Sequence, residues 1–284
     1  MLKSPNIPRK DRLSMVQQLS LTASLKQNNL EMLLLTLKAL TGHNAQPMHQ
    51  HTVILKPRYL YSPDPSPGKV AQFESYRLRM TRMWEVDYPI DVSESLFGDS
   101  VRSRNNSLNE SIWTLQLSDI PAGGKTQVSI QNMYETTIYQ TDDMIGYIDE
   151  LGYIHETEYW VNGVRFYYDD VIIEVMRVFI ADNDATRKVD SINQSFADCS
   201  TETDSFTPLK LLSSDGRFFM RAMVNVTDVT DLESVATGTR QLDHLKRELE
   251  EVVTLRIPDR TSMDSRINSR IASGNSSVNL NRIL

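Results

Sequence analysis

Cysteine is almost absent: Cys199, in a polar stretch, is the one thiol in 284 residues. A lone thiol builds neither a disulfide framework nor a cysteine-based zinc site, so an intracellular setting is expected. Long apolar runs are missing too. Nothing approaches the ~18 consecutive apolar residues that span a bilayer as a helix. The start, MLKSPNIPRKDRLS, has charge and proline where a secretory leader would be apolar. With neither export nor membrane contact expected, the Asn-x-Ser/Thr matches at Asn105, Asn109, Asn193, Asn225 and Asn275 carry no glycosylation signal. A basic excess is lacking as well. Thirty Lys and Arg stand against 37 Asp and Glu, a net charge of −7. A non-specific nucleic-acid binder needs a basic face to displace counterions, so no direct nucleic-acid contact is expected.

What the chain does have is a sequence of short alternating runs, with 40% apolar residues available for a core. Met15, Leu19, Leu21, Ala23 and Leu25 recur at period two, the mark of a strand. Asn28 with Glu31 reads as a capping box ahead of a helix striped by Leu30, Leu33, Leu34, Leu37 and Leu40, and Gly42 stops it. Strands follow at 49–56 and 73–84, separated by the proline-rich loop 62–68. Residues 112–118 and 127–140 form a hairpin around Pro121-Ala122-Gly123-Gly124. Asp142 caps a short helix carrying Ile145, Ile148 and Leu151, ended by Gly152. Asn162-Gly163 signals a type I′ turn and Asp169-Asp170 a second turn, which gives a meander of 153–161, 164–168 and 171–180. A strand at 217–228 and a helix at roughly 231–255 complete the count, the helix capped by Thr230 with Glu233. Its stripe is Val235, Leu242, Leu245, Leu249, Val252 and Val253.

The fold class this predicts is mostly β with helices: an antiparallel barrel of about eight strands with helices packed on it. Closure removes two long edges; a two-sheet sandwich is the alternative. The domain would run from 15 to 266, with polar insertions at 89–110 and 182–215. The extension 1–14 and the tail 267–284 are expected to be disordered.

Few groups could carry chemistry. Gly123 to Thr126, GGKT, is like the end of a phosphate loop, but a strand follows where a helix is required, so a hairpin turn is expected. His49 and His51 share a strand face, yet His43, His155 and His244 supply no recognisable third metal-ligand spacing. Glu156 and Glu158 alternate on a strand, as metal-holding pairs do in tunnel-shaped triphosphatases. Those enzymes also need a second acidic pair and inward basic rows. Arg77, Arg79 and Arg221 are candidates for such rows, but no second pair exists. Glu156 and Glu158 are therefore read as surface charges on a half-solvated strand. No catalytic residue, metal or cofactor is assigned.

Four segments, in order and well separated, resemble the fungal Mediator subunit 18 family: MVQQLSL at 15–21, LSDIPAGGK at 117–125, GYIDELGYIHETEYWVNGVRFY at 146–167 and LDHLKRELEEVVTLRIPDRTSMDSR at 242–266. The last is the most specific. The resemblance implies a barrel distantly like RNA-capping triphosphatases but without their catalysis, a subunit of the nuclear coactivator serving RNA polymerase II. It further implies pairing with Mediator subunit 20, tethering by a C-terminal helix of subunit 8, and contact with other head-module subunits. The PDRxSMDSR ending maps onto Pro258, Asp259, Arg260, Ser262, Met263, Asp264, Ser265 and Arg266. Pro258, Asp259, Arg260, Met263, Asp264 and Arg266 are the candidate partner-binding residues, with Met263 the apolar contact between charged neighbours.

Overall fold

A computed structural model describes residues 14–60, 74–84, 100–104, 109–139, 141–182, 206–227 and 230–267, with 100–104 and 206–208 described by backbone alone. The strands are β1 (Ser14–Leu25), β2 (Gln46–Pro57), β3 (Ser75–Tyr76), β4 (Leu78–Met83), β5 (Ser100–Arg104), β6 (Trp113–Ser118), β7 (Ser129–Ile138), β8 (Tyr153–Tyr168), β9 (Val171–Ala181), β10 (Phe206–Leu211), β11 (Phe218–Val226) and β12 (Arg266–Ile267). The helices are α1 (Leu30–Thr41), α2 (Met144–Glu150) and α3 (Leu232–Glu248).

Eight strands form a ring in the order β11–β1–β7–β6–β4–β2–β8–β9, and β9 pairs with β11 to close it. All pairings are antiparallel. The expected barrel is therefore present, and closure excludes the sandwich. The edge of β9 away from β8 serves two neighbours: Ile172 to Met176 pair with β11, while Phe179 to Ala181 pair with β10. β5 then pairs with β10.

The more apolar sides of the strands face outward, under the helices. Leu19, Leu21 and Leu25 on β1 and Phe218, Met220, Ala222 and Val224 on β11 pack with Leu33 and Leu37 of α1 and Leu242 and Leu245 of α3. Burying each such leucine contributes about 1.5–3 kcal/mol, so the two helices are held mainly by this stripe. α2 covers a second cluster, where Met144 and Ile148 meet Val53, Leu55, Met80 and Trp113.

Several local expectations need correction. Asn162-Gly163 is no turn, because β8 runs unbroken through it and the meander has two strands rather than three. A Cβ on Gly163 would lie 2.2 Å from the Val175 carbonyl oxygen, so the glycine admits a close approach of β9. The turn at Asp169-Asp170 is present, with Tyr168 opposite Val171 and Asp169 at φ 50. No Asn28 box forms: a 3-10 turn covers Gln27–Asn29, and the N-cap Asn29 makes no side-chain capping bond. Gly42 does end α1, at φ 70. α2 is capped by Asp143, not Asp142, and it buries Met144 and Ile148 while Ile145 and Leu151 are exposed. α3 is capped by Asp231, whose carboxylate accepts from the Glu233 and Ser234 amides. The two insertions expected to be polar contain strands β5 and β10; Leu209 of β10 is buried against Trp84, Trp160 and Phe179. The loop 62–68, Cys199, residues 1–13 and the tail from 268 lie outside the described residues.

Candidate functional site

The helix-covered sides of the strands are the more apolar ones, and the inward sides are mixed: Ile54, Tyr159, Val161, Met176 and Phe219 line the interior beside many polar groups. Gln18, Ser20 and Thr22 of β1 point into a lumen of about 700 Å³, with Gln116 of β6, Gln131 of β7 and Asn225 of β11. Arg77 between β3 and β4, Arg79 of β4, Arg165 of β8 and Arg221 of β11 line it as well. Arg77, Arg79 and Arg221, singled out by the sequence, therefore do line the lumen, and Arg165 joins them.

Sequence reasoning missed the acid at the centre of this wall. Glu174 of β9 lies opposite Arg165 on β8 and Arg221 on β11. Its side chain is 1% exposed, and each guanidinium grips one of its oxygens through Nε and Nη2, at 3.1 and 2.6 Å. Burial by itself would push the Glu174 carboxyl up, but Arg221 and Arg165 together hold it below the usual carboxylate range. A carboxylate so committed has no oxygen spare for a metal ion.

Across one mouth of the lumen runs the PDRTSMDSR segment, a strap. It leaves β1 at a two-way backbone bridge between Thr22 and Arg256, 2.8 Å each way. Arg260 donates from Nε to the Pro121 carbonyl at 2.9 Å. Gln131 donates to the Met263 carbonyl at 3.1 Å, and the Ser265 hydroxyl donates to the Ser118 carbonyl. The Arg77 amide then bonds the Ser265 carbonyl at 2.8 Å, and β12 pairs with β3. Arg266 bridges Asp264 and Glu74, each at 2.7 Å, and its hydrogen bond keeps the Asp264 carboxyl below its ordinary range. Pro258, Asp259, Met263 and Asp264 all border the lumen. Met263 is half-buried, while Asp259 and Arg260 are exposed. The structure thus brings all six candidate residues to one strap fastened to its own barrel, with Arg260 over the 121–124 turn.

The remaining candidates lie elsewhere. GGKT is the β6–β7 turn, with β7 following it, so no helix N-terminus is there to hold a phosphate. Glu158 lies opposite Val53, an outward position. Glu156 occupies the bulge where the β2–β8 register slips between Ile54 and Leu55. Neither lines the lumen, and neither is a free surface charge. Arg77 holds Glu156 at 2.6 Å with the glutamate side chain 7% exposed, and His51 meets Glu158 at 2.9 Å. His51 is stacked on Trp160, 4.7 Å between centroids, and its Nδ1 accepts from Arg82 Nε at 3.1 Å. Nδ1 as acceptor puts the ring proton on Nε2, facing Glu158. Burial lowers the His51 pKa more than Glu158 raises it. Among the described residues no three His, Cys, Asp or Glu side chains are grouped to hold a metal.

A closed antiparallel barrel with helices outside, ion-paired arginines inside and its own C-terminal strap over one mouth defines a class of tunnel-shaped β-barrels. The family is then given by sequence. A model described as Med18 protein matches residues 17–266, from β1 through the strap to Arg266, and the chain belongs to that family. Proteins called Mediator of RNA polymerase II transcription subunit 18 are similar to it. The one from Yarrowia lipolytica is 26% identical, over 89% of this chain and 100% of its own length. The one from Kluyveromyces lactis is 28% identical, over 89% and 99%. The fold is also similar to a chain in the Schizosaccharomyces pombe Mediator head module, with a TM-score of 0.59 at 14% identity, covering 85% of this chain and 98% of that one.

Proposed function

We infer that this chain is a non-enzymatic subunit of the Mediator coactivator, working in the nucleus through protein contacts in the head module to regulate RNA polymerase II transcription. The observation that carries this is the family match, which spans every strand of the ring, all three helices and the strap. The geometry supports contact over catalysis. Neither member of the acidic pair that could have held metal lines the lumen, and the lumen's most buried acid is occupied by two arginines.

Its partners under this reading are Mediator subunit 20, a C-terminal helix of subunit 8 and further head-module subunits, with RNA polymerase II reached indirectly. The strap contributes: Asp259 and Arg260, its exposed charged residues, meet the partner, while Pro258, Met263, Asp264 and Arg266 fix its path. Exposed charge pairs alone are weak, so apolar surface elsewhere must supply most of the affinity. Affinity purification of the tagged full chain tests the reading. Recovery of subunits 20 and 8 supports it; a preparation free of any Mediator subunit refutes it.

A further inference from the structure

Thirteen large apolar side chains stand exposed among the described residues, and eight of them gather on one side of the barrel. Three rim the mouth away from the strap. Thr81 pairs with Thr114 and Trp113 with Ile138, a register that carries on to set Met83, Ile112 and Tyr139 in one row where β4 and β7 end and β6 begins. They are 64%, 55% and 64% exposed. Three more, Ile145, Tyr147 and Leu151, are exposed along α2 and at its C-cap, while Met144 and Ile148 seat the helix on the barrel. Tyr59 and Leu60 complete the band. They follow Arg58, whose amide bonds the Gly152 carbonyl at 2.8 Å and whose guanidinium pairs with Asp149.

The band is one surface, and it is acidic. Asn109 ties two of its loops together: its side chain accepts from the Met144 amide and donates to the Asp142 carbonyl, each at 3.0 Å. Glu110 and Ile112 are thereby set beside the start of α2. Residues 58–60, 109–112 and 139–151 hold Glu110, Asp142, Asp143, Asp149 and Glu150 against a single base, Arg58, already paired with Asp149. All five acids are exposed. Arg82, next to Met83, is buried and turns to His51 and Ser111 instead. The other five exposed apolar side chains are distributed over α1, β8, α3 and the start of the strap.

We propose that this band, from Met83 at the far mouth across α2 to Leu60, is a docking surface for a lysine- and arginine-rich amphipathic segment of a partner protein. It rests on the reading of the chain as a contact subunit, and it names where the apolar affinity that the strap's charges lack is found. Single exposed apolar side chains are ordinary, but a continuous group with a polar rim marks an interface. The rim decides the occupant. With Asp149 matched by Arg58, four acids remain to attract cationic side chains, and they repel an anionic lipid surface and a second copy of the same face. A basic segment can lay its apolar side on Ile112, Ile145 and Tyr147 while its lysines reach Glu110, Asp142 and Glu150.

A synthetic amphipathic peptide of leucine and lysine, and its leucine–glutamate counterpart, titrated into the full-length chain provide the test. The lysine peptide should bind saturably and lose affinity as salt rises, while the glutamate peptide should not bind. Ile145→Ser with Tyr147→Ser should weaken binding by about tenfold or more, and Glu110→Gln with Asp142→Asn should flatten the salt dependence. All four side chains are exposed, so the melting temperature should stay with the parent's. Met32→Ser with Leu35→Ser, exposed on α1, is the control and should bind as the parent does. No binding by the parent tighter than about 100 μM overturns the proposal, as does unchanged affinity in the band variants. Binding that appears only when residues 1–13 are removed also overturns it, because the occupant would then be the chain's own basic segment. So does a parent dimer that the Ile145 and Tyr147 double variant disperses. Co-purification separates the proposal from the reading beneath it. If the parent recovers Mediator subunits and the double variant recovers all of them equally, the docking surface alone is refuted; loss of a subunit in that variant supports it. If the parent recovers none, the functional reading falls, while the peptide titration still decides the surface.

Discussion

Glu174 sits in VIIEVMRVFI, a run that reads as an apolar strand with one stray charge. Its meaning depends on Arg165 and Arg221, nine and 47 residues away, and on a register no local pattern states. The lumen arginines on β4 and β11 were legible as basic positions on alternating strands; the acid joining two walls was not. Removing it leaves two part-buried cations facing each other over an emptied buried site. Glu174→Ala should therefore cost about 3–5 kcal/mol in urea unfolding, and a loss under about 1 kcal/mol would show that the arginines simply relax into water. The direction of the pH effect follows. The folded carboxyl titrates below the unfolded one, so its contribution is complete above about 4.5 and fades as pH falls through the folded value. His51 works at a higher pH. Its folded pKa is lowered, chiefly by burial, with His155 and Arg82 also disfavouring charge and Glu158 opposing them. The unfolded ring takes a proton first, so this share of stability is whole above about 6.5 and declines below it. Denaturation at about pH 7.5 and pH 5.5 should show that decline in the parent and a smaller one in His51→Gln. His49 and His155, also lowered by burial, would supply the remainder. An equal decline in parent and variant would clear His51 of the effect.

Elements were read well wherever one face of a single segment had to be apolar. β1, α1, β11 and α3 were found because their stripes are continuous in sequence, and those stripes are what the outer core uses. Failures came where a partner strand decides. Asn-Gly is a strong turn signal locally, but at 162–163 the close approach of β9 explains the glycine and the strand continues. β10 was lost in a polar stretch because its stabilising contact, Leu209 with Trp84, Trp160 and Phe179, is entirely remote. Helix caps slipped by one residue where two candidate acceptors adjoin, Asp142 and Asp143 or Thr230 and Asp231. Two substitutions test these accounts. Gly163→Ala would force a methyl into the Val175 carbonyl and the Met176 backbone, and a loss of at least about 1–3 kcal/mol is expected from such overpacking. A turn glycine without that contact would tolerate alanine far better. Leu242→Ala, at a site with no exposure, should cost about 2–5 kcal/mol, and a loss below about 0.5 would mean α3 is not held by its stripe.

At the scale of the whole molecule, period-two alternation indicated sheet but not which side faced in. Three helices cover the outside of the ring, so the larger apolar clusters pack there, while a mixed face, rich in polar groups but carrying Ile54, Val161 and Met176, lines the tunnel. That arrangement makes the strap consequential. Outer packing does not seal the lumen, and residues 256–267 cross one mouth with fastenings to β1, β3, β6, β7 and the 121–124 turn. Ending the chain after Leu255 removes all of these at once. It also exposes the lumen ends of Gln131 and Arg77, which the strap covers with hydrogen bonds. Ending it after Ser269 keeps every one. The first truncation should lower the melting temperature and weaken co-purification with head-module subunits, and the second should change neither. Exposed Asp259 and Arg260 separate the two roles of the strap, because replacing Asp259 by Asn leaves the Arg260, Met263, Ser265 and Arg266 fastenings in place. If that single change weakens co-purification at an unaltered melting temperature, the strap's exposed charges meet a partner. If the truncation after Leu255 loses stability while co-purification is retained, the strap serves its own barrel alone and the docking role assigned to it is wrong.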